Sequence, residues 1–229
     1  MSKAILIQSR LSSSRFPEKM LNPLGDMTLV EYVYHRCRQS KKADEVMIIT
    51  SIEKSDDKLY KLCIDKGIPV FRGDLNDVLK RYISAGEFLE TDTICRVCGD
   101  SPFVDINAID SEFEAMEIYD NLDYIATKNS LNGFMSETFA LDLLQKVYNY
   151  DLTNDDREHV TKYIRDNISK FDTNEIDLGT RPKNLETFTL TVDYEKDLEI
   201  AEKIVQELDG FDFTSIDVLS ILEKIKDEI

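Results

Sequence analysis

Through the first half of the chain, short apolar runs alternate with stretches whose apolar positions recur every three or four residues. The runs at 4–8, 46–50, 69–71, 93–97 and 124–127 read as strands. Between them, 29–38, 56–66, 78–88 and 106–119 carry the i, i+3, i+4 spacing of amphipathic helices. Strand, helix, strand in repetition predicts an α/β fold: a mainly parallel sheet, right-handed crossovers, helices on both faces. Ligands of such sheets bind beyond the carboxyl ends of the strands. That rule puts 9–19, Thr50-Ser51, Arg72-Gly73 and Gly99-Asp100 on one rim.

The second half is less regular. Residues 131–139 read as a loop with an extended segment, and 140–150 and 155–167 as helices. The polar stretch 171–184, with Gly179 and Pro182, reads as loop; 186–192 alternates as a strand; 194–208 and 215–229 close the chain as helices. No internal repeat and no long linker is visible. The expectation is one domain over 1–229, with 130–185 as a small α/β extension that serves acceptor binding or dimerisation.

Composition narrows the partners. A formal net charge of -17 argues against a nucleic-acid or membrane-surface binder, which needs a basic face. The apolar run after Met1-Ser2-Lys3 ends at Gln8-Ser9-Arg10, too short for a signal core or a membrane span, so a cytoplasmic protein is expected. Cys95 and Cys98 form a CxxC, but in a strand residues three apart face opposite ways, which argues against zinc or redox chemistry there.

Against that acidic background, residues 7–19 read IQSRLSSSRFPEK. Arg10 and Arg15 can fork onto phosphate oxygens, Lys19 can act as a point charge, and the serines permit close backbone approach. A solvated surface loop remains the plain alternative. No GxxxxGK[ST] is present, so this is not a Walker loop. Two acids stand at expected strand ends: Asp100 after Cys98-Gly99, and Asp193 after Thr191-Val192. Hard carboxylate oxygens with substrate phosphates suit Mg²⁺. Either acid could instead serve locally, Asp100 in a turn and Asp193 as a helix N-cap. His159, in Arg157-Glu158-His159-Val160-Thr161, is one of two histidines and reads as an acceptor contact or a structural residue; His35 lies in an apolar-periodic helix.

In combination these segments resemble the CTP-dependent sugar cytidylyltransferases, and among them most nearly the spore coat polysaccharide biosynthesis protein F branch. The branch's IQARxxSxRxPxKxL stands here as Ile7-Gln8-Ser9-Arg10, Ser13, Arg15, Pro17, Lys19 and Leu21. Its strand-end T-S is Thr50-Ser51. Its FRGxxxDVLxRY runs from Phe71 to Tyr82, its R-x-x-G-D-x-P from Arg96 to Pro102, its REHVTxYI from Arg157 to Ile164, and its VDxxxDLE from Val192 to Glu199. The resemblance covers about residues 3–205 in the family's order.

It implies a Rossmann-like nucleotide-diphospho-sugar transferase fold and transfer of CMP from CTP to a sugar, sugar acid or small phosphorylated acceptor, with pyrophosphate released. It implies that Arg10, Arg15, Lys19 and Asp100 carry the chemistry, and that Asp100 and Asp193 hold Mg²⁺. Gln8, Ser9, Arg10, Ser13, Arg15, Lys19, Thr50, Ser51, Arg72, Gly73, Arg96, Cys98 and Gly99 would line the nucleotide. Glu137, Arg157, Glu158, His159 and Thr161 would face the acceptor, and a homodimer is expected. Three residues depart from the pattern: Ser9 for Ala, Glu18 for a common Gly, and Cys98 for Thr or Gln. A nucleotide-sugar glycosyltransferase and a nucleotide-binding module without turnover are the competing readings; the chain has no strict Asp-x-Asp of the kind such transferases use.

Overall fold

The computed structural model describes residues 1–228. In chain order the elements are β1 Lys3–Gln8, β2 Pro23–Leu24, β3 Met27–Thr28, α1 Leu29–Cys37, β4 Glu45–Ser51, α2 Asp57–Asp65, β5 Val70–Gly73 and α3 Val78–Leu89. Then follow β6 Thr93–Cys98, α4 Ile106–Ile118, β7 Tyr124–Ser130, β8 Glu137–Ala140, α5 Leu141–Tyr148, α6 Asn154–Glu158 and α7 Lys162–Asp166. Strand β9 Thr173–Thr180 and helices α8 Glu195–Glu207 and α9 Ser215–Ile225 complete the series.

Seven strands form one sheet in the order β5-β4-β1-β6-β8-β7-β9, and β2 and β3 make a separate small ribbon. All neighbours in the large sheet are parallel except β8, which runs antiparallel to both β6 and β7. The mainly parallel sheet expected from the sequence is therefore present. Strand alternation sorts its core into two layers. Ile5 and Ile7 of β1 pack with α1, α2, α4, α8 and α9, while Ala4 and Leu6 pack with α3 and α5. Central strands buried on both faces read as unbroken apolar runs, which is why β1, β4 and β6 stand out in the sequence.

Four expectations for the second half are corrected. First, 171–184 is not a loop: β9 runs through it as the edge strand, parallel to β7. Its exposed, polar character comes from that edge position. Second, 186–192 is not a strand. The chain there is extended but joins no sheet; its Leu190 and Val192 N–H groups donate to the carbonyls of Asn132 and Asp100, both at 2.8 Å. The alternation that imitated a strand reflects Leu190 and Val192 packing into the core. Asp193 consequently does not end a strand.

Third, the helix expected over 155–167 is broken into α6 and α7. Val160 sits at φ 50 with its side chain fully buried. A β-branched residue in that conformation costs about 1–3 kcal/mol and persists only where surrounding contacts fix it. Fourth, the last helix ends at Ile225, followed by a 3-10 turn; residue 229 of the expected helix lies outside the described residues.

Candidate active site

The rim at the carboxyl ends of β1, β4 and β6 carries the opening loop. The loop is closed on itself: the Leu11 carbonyl accepts from Ser13 N–H at 2.8 Å and Glu18 N–H at 3.2 Å, and Ser13 Oγ accepts from Phe16 N–H at 3.3 Å. Glu18 turns its tail in the left-handed region, φ 55. That geometry accounts for the Gly common at this position in the pattern. The Glu18 carboxylate pairs with Lys58 at 2.5 Å on the surface.

The loop brings Lys19 to the two acids. Lys19 is nearly buried, its side chain 7% exposed, and its Nζ lies 2.6 Å from Asp100 Oδ2, 2.7 Å from the Val192 carbonyl and 3.2 Å from Asp193 Oδ1. Arg15 adds a second cation to Asp193 Oδ1 at 2.6 Å. Asp193 is not the helix cap: Asp197 takes that work, accepting from the Asp193 and Tyr194 N–H groups at 3.0 and 2.8 Å. Both carboxylates keep about a quarter of their side-chain surface exposed. Their hard oxygens suit a divalent cation, which fits the residues present. Among the described residues no group of three or more Asp, Glu, His or Cys could hold a metal alone, so water and phosphate oxygens would complete the shell.

The floor beneath the loop is tight. A Cβ at Gly99 would stand 2.0 Å from Ser9 Oγ, so the Ser9 hydroxyl as placed leaves room only for Gly at 99. Gln8 Oε1, Ser9 Oγ and Thr50 Oγ1 are buried without a hydrogen-bond partner. Ser51 is held by Asp56. Arg72 commits its donors to the Ser51 and Glu53 carbonyls at 2.7 and 2.9 Å, and pairs with Asp57 at 2.9 Å. Gly73 is obligatory because a Cβ would stand 2.8 Å from Arg81 Cγ. Arg81, in turn, holds the Asp74 and Leu75 carbonyls at 2.6–2.9 Å.

Beside Asp100 opens a cavity of about 540 Å³, walled by Arg96, Cys98, Asn132, Met135, Glu137 and Arg165 among others. Its back wall is organised by Glu137. Arg96 reaches one Glu137 oxygen at 2.6 Å; Arg165 and the Tyr124 hydroxyl reach the other at 2.8 and 2.7 Å; Thr161 Oγ1 donates at 2.9 Å. Burial would push this carboxyl up, but Arg96 and Arg165 outweigh it and hold it down at about 2. The break at Val160 is what delivers Thr161 and Arg165 to Glu137. Cys98 stands on the cavity rim, and burial pushes its thiol up, so it is a neutral group there; Cys95 is buried on the other side of the strand. Neither forms a disulfide, as the strand geometry required.

The remaining candidates scatter. Arg157 is drawn away to Asp77, 3.0 Å distant, which also caps α3. Glu158 reaches across the cleft to Arg10 at 3.4 Å. His159 is exposed and lies 3.3 Å from Asp155. Sequence reading overlooked Asp56, Arg165 and Tyr124. Arg165 follows Thr161 by one helical turn, a spacing that places both on one face, and that was the available signal.

The mainly parallel sheet with helices around it is an α/β nucleotidyltransferase fold. The cytidylyltransferase family model matches residues 4–227, and the chain belongs to that family. It is 35% identical over 218 residues to protein MJ1063 of Methanocaldococcus jannaschii, covering 95% of this chain and 88% of that one. It is 31% identical over 228 residues to the spore coat polysaccharide biosynthesis protein SpsF of Bacillus subtilis, covering 97% and 94%. The structure of a cytidylyltransferase from Leptospira borgpetersenii superposes with a TM-score of 0.92 at 28% identity, covering 99% of this chain and 96% of that one. The chain is thus a CTP-using enzyme that transfers CMP. No helix among the described residues is long and apolar enough to cross a membrane.

Proposed function

We propose that the enzyme transfers CMP to a sugar acid or a closely related sugar acceptor destined for polysaccharide or glycan synthesis. The acceptor occupies the cavity beside Asp100, and CTP lies along the rim of β1, β4 and β6. An acceptor oxygen attacks the α-phosphorus of CTP in line; the bond from that phosphorus to the bridging oxygen breaks, and pyrophosphate leaves. Positioning and charge neutralisation supply most of the rate in such a reaction.

Arg10, Arg15 and Lys19 take the charge of the leaving pyrophosphate. In the ligand-free cleft Arg15 and Lys19 rest on Asp193 and Asp100. Triphosphate oxygens replace these partners on the cations and so free carboxylate oxygens. Asp100 and Asp193 would then hold Mg²⁺, which when bound neutralises phosphate charge and polarises the α-phosphorus. Arg96 and Arg165, fixed by Glu137, present their remaining N–H groups toward the acceptor. The observation that carries this reading is the single Lys19 ammonium that gathers both acids beside a basic, serine-rich loop.

The test is calorimetric titration with CTP, ATP, GTP and UTP in Mg²⁺, on the wild type and on Arg15→Ala and Lys19→Ala. Selective CTP binding, weakened about 10-fold or more by each substitution, is expected, since a charged hydrogen bond contributes roughly 1.5–3 kcal/mol. Pyrophosphate release with a panel of sugar acids then identifies the acceptor. Binding untouched by both substitutions would overturn the assignment of the loop; release with neutral sugars alone would overturn the acceptor class.

A further inference from the structure

We infer that Asp56, which touches neither the cleft nor any cation, is the positioning residue that sets the triphosphate loop. The inference rests on the reading of that loop given above. Asp56 is completely buried, at the end of the 3-10 turn Lys54–Asp56 and directly before α2. An acid at that place ordinarily caps the helix. Asp56 makes no side-chain cap bond to α2. Its carboxylate turns the other way, into the rim.

There it accepts from three neutral donors. The Leu11 N–H reaches Oδ1 at 2.7 Å; the Ser51 N–H reaches Oδ2 at 3.2 Å, and the Ser51 hydroxyl makes a short bond to the same oxygen. Among the described residues no ion pair joins it. The carboxylate is held by these hydrogen bonds and lies in the field of Arg81, and leaving the donors unpaired inside the protein would cost about 1–3 kcal/mol each.

Leu11 is the pivot of the loop. Its side chain is buried, its carbonyl takes the N–H groups of Ser13 and Glu18, and its own N–H belongs to Asp56. One carboxylate therefore fixes where Arg10, Arg15 and Lys19 start from. Through Ser51 the same carboxylate ties that loop to the end of β4, so two walls of the nucleotide site share one anchor.

Two measurements on the full chain test this. In the wild type, NMR hydrogen exchange should find the Leu11 amide protected to the level of β1 amides, well beyond Ser12. Free exchange at Leu11 overturns the inference whatever the variants do. In Asp56→Ala the Leu11 N–H loses its acceptor, and CTP affinity should fall by about 10- to 100-fold. In Asp217→Ala, which removes the acid that accepts from Thr214 at the start of α9, affinity should stay within about 3-fold. A folded Asp56→Ala protein that binds CTP within about 2-fold of wild type overturns the inference, as does an equal loss in Asp217→Ala. If Arg15→Ala and Lys19→Ala leave CTP binding intact, the loop reading fails instead, and the exchange experiment still judges Asp56.

Discussion

The two sides of the cleft use charge differently. On the proposed nucleotide side, Lys19, Arg15, Asp100 and Asp193 form a cluster in which Arg15 and both acids keep access to water. On the proposed acceptor side, Glu137 stands largely buried in the cavity wall with four donors pointed at it. The first arrangement is suited to exchange, since its acids and cations can trade each other for phosphate or metal. The second is suited to permanence, since a buried ion pair that loses one partner leaves an uncompensated charge. A transferase needs both: partners that let go on one side, and a wall that does not move on the other.

The largest effect expected from this contrast is on stability. Glu137→Ala strands the buried Arg96, Arg165 being half-exposed, and should destabilise the fold by about 3–5 kcal/mol. At about 2–4 °C per kcal/mol for a chain of this size, the melting temperature should fall by roughly 10 °C. Calorimetry of the ligand-free protein reads this directly, and a loss under about 2 °C would erase the distinction between the two sides.

A smaller effect concerns Glu112, which lies behind the same wall. It is fully buried, accepts from Ser136 and Thr138 at 2.9 and 2.7 Å, and burial pushes its carboxyl up to about 8. A raised carboxyl contributes stability below its unfolded value of 4.5 that is lost as pH climbs through the folded value. Stability should therefore decline from about pH 4.5 to about pH 8 by this group, and Glu112→Gln should flatten that part of the melting-temperature profile. Glu137 works in the opposite sense, with stability present above 4.5 and lost as pH falls toward 2. A Gln variant that keeps the full alkaline decline would remove Glu112 from the account. The smallest effect belongs to Arg10 and Glu158, half-exposed and 3.4 Å apart. Glu158→Gln should shift stability by under about 0.5 kcal/mol in urea unfolding; a larger change would mean the pair fastens the cleft rather than resting across it.

The same two halves differed in legibility. The parallel half announced itself because β1, β4 and β6 are buried on both faces and their helices carry apolar stripes. Asp100, Lys19 and Asp193 could be named from the sequence because each belongs to a compact local pattern. What brings them together, an extended segment with no sheet partner, gave no such signal. Strand β9 was hidden by its edge position, and the α6–α7 break by a β-branched residue held at positive φ. Asp56 was invisible for another reason: it resembles an ordinary helix-capping acid, and only the direction of its carboxylate says otherwise.

The pairing of Arg15 and Lys19 with Asp193 and Asp100 leaves that cluster electroneutral at rest, inside a chain of formal net charge -17. A tetra-anionic nucleotide approaching from beyond about 10 Å meets the field of the whole molecule, which is repulsive. Added salt screens that field before it reaches the contacts within the cleft. Association with CTP should therefore be hastened by moderate ionic strength, the reverse of an electrostatically steered encounter, and magnesium carried in on the nucleotide should lower the same barrier by halving the charge that must be brought in.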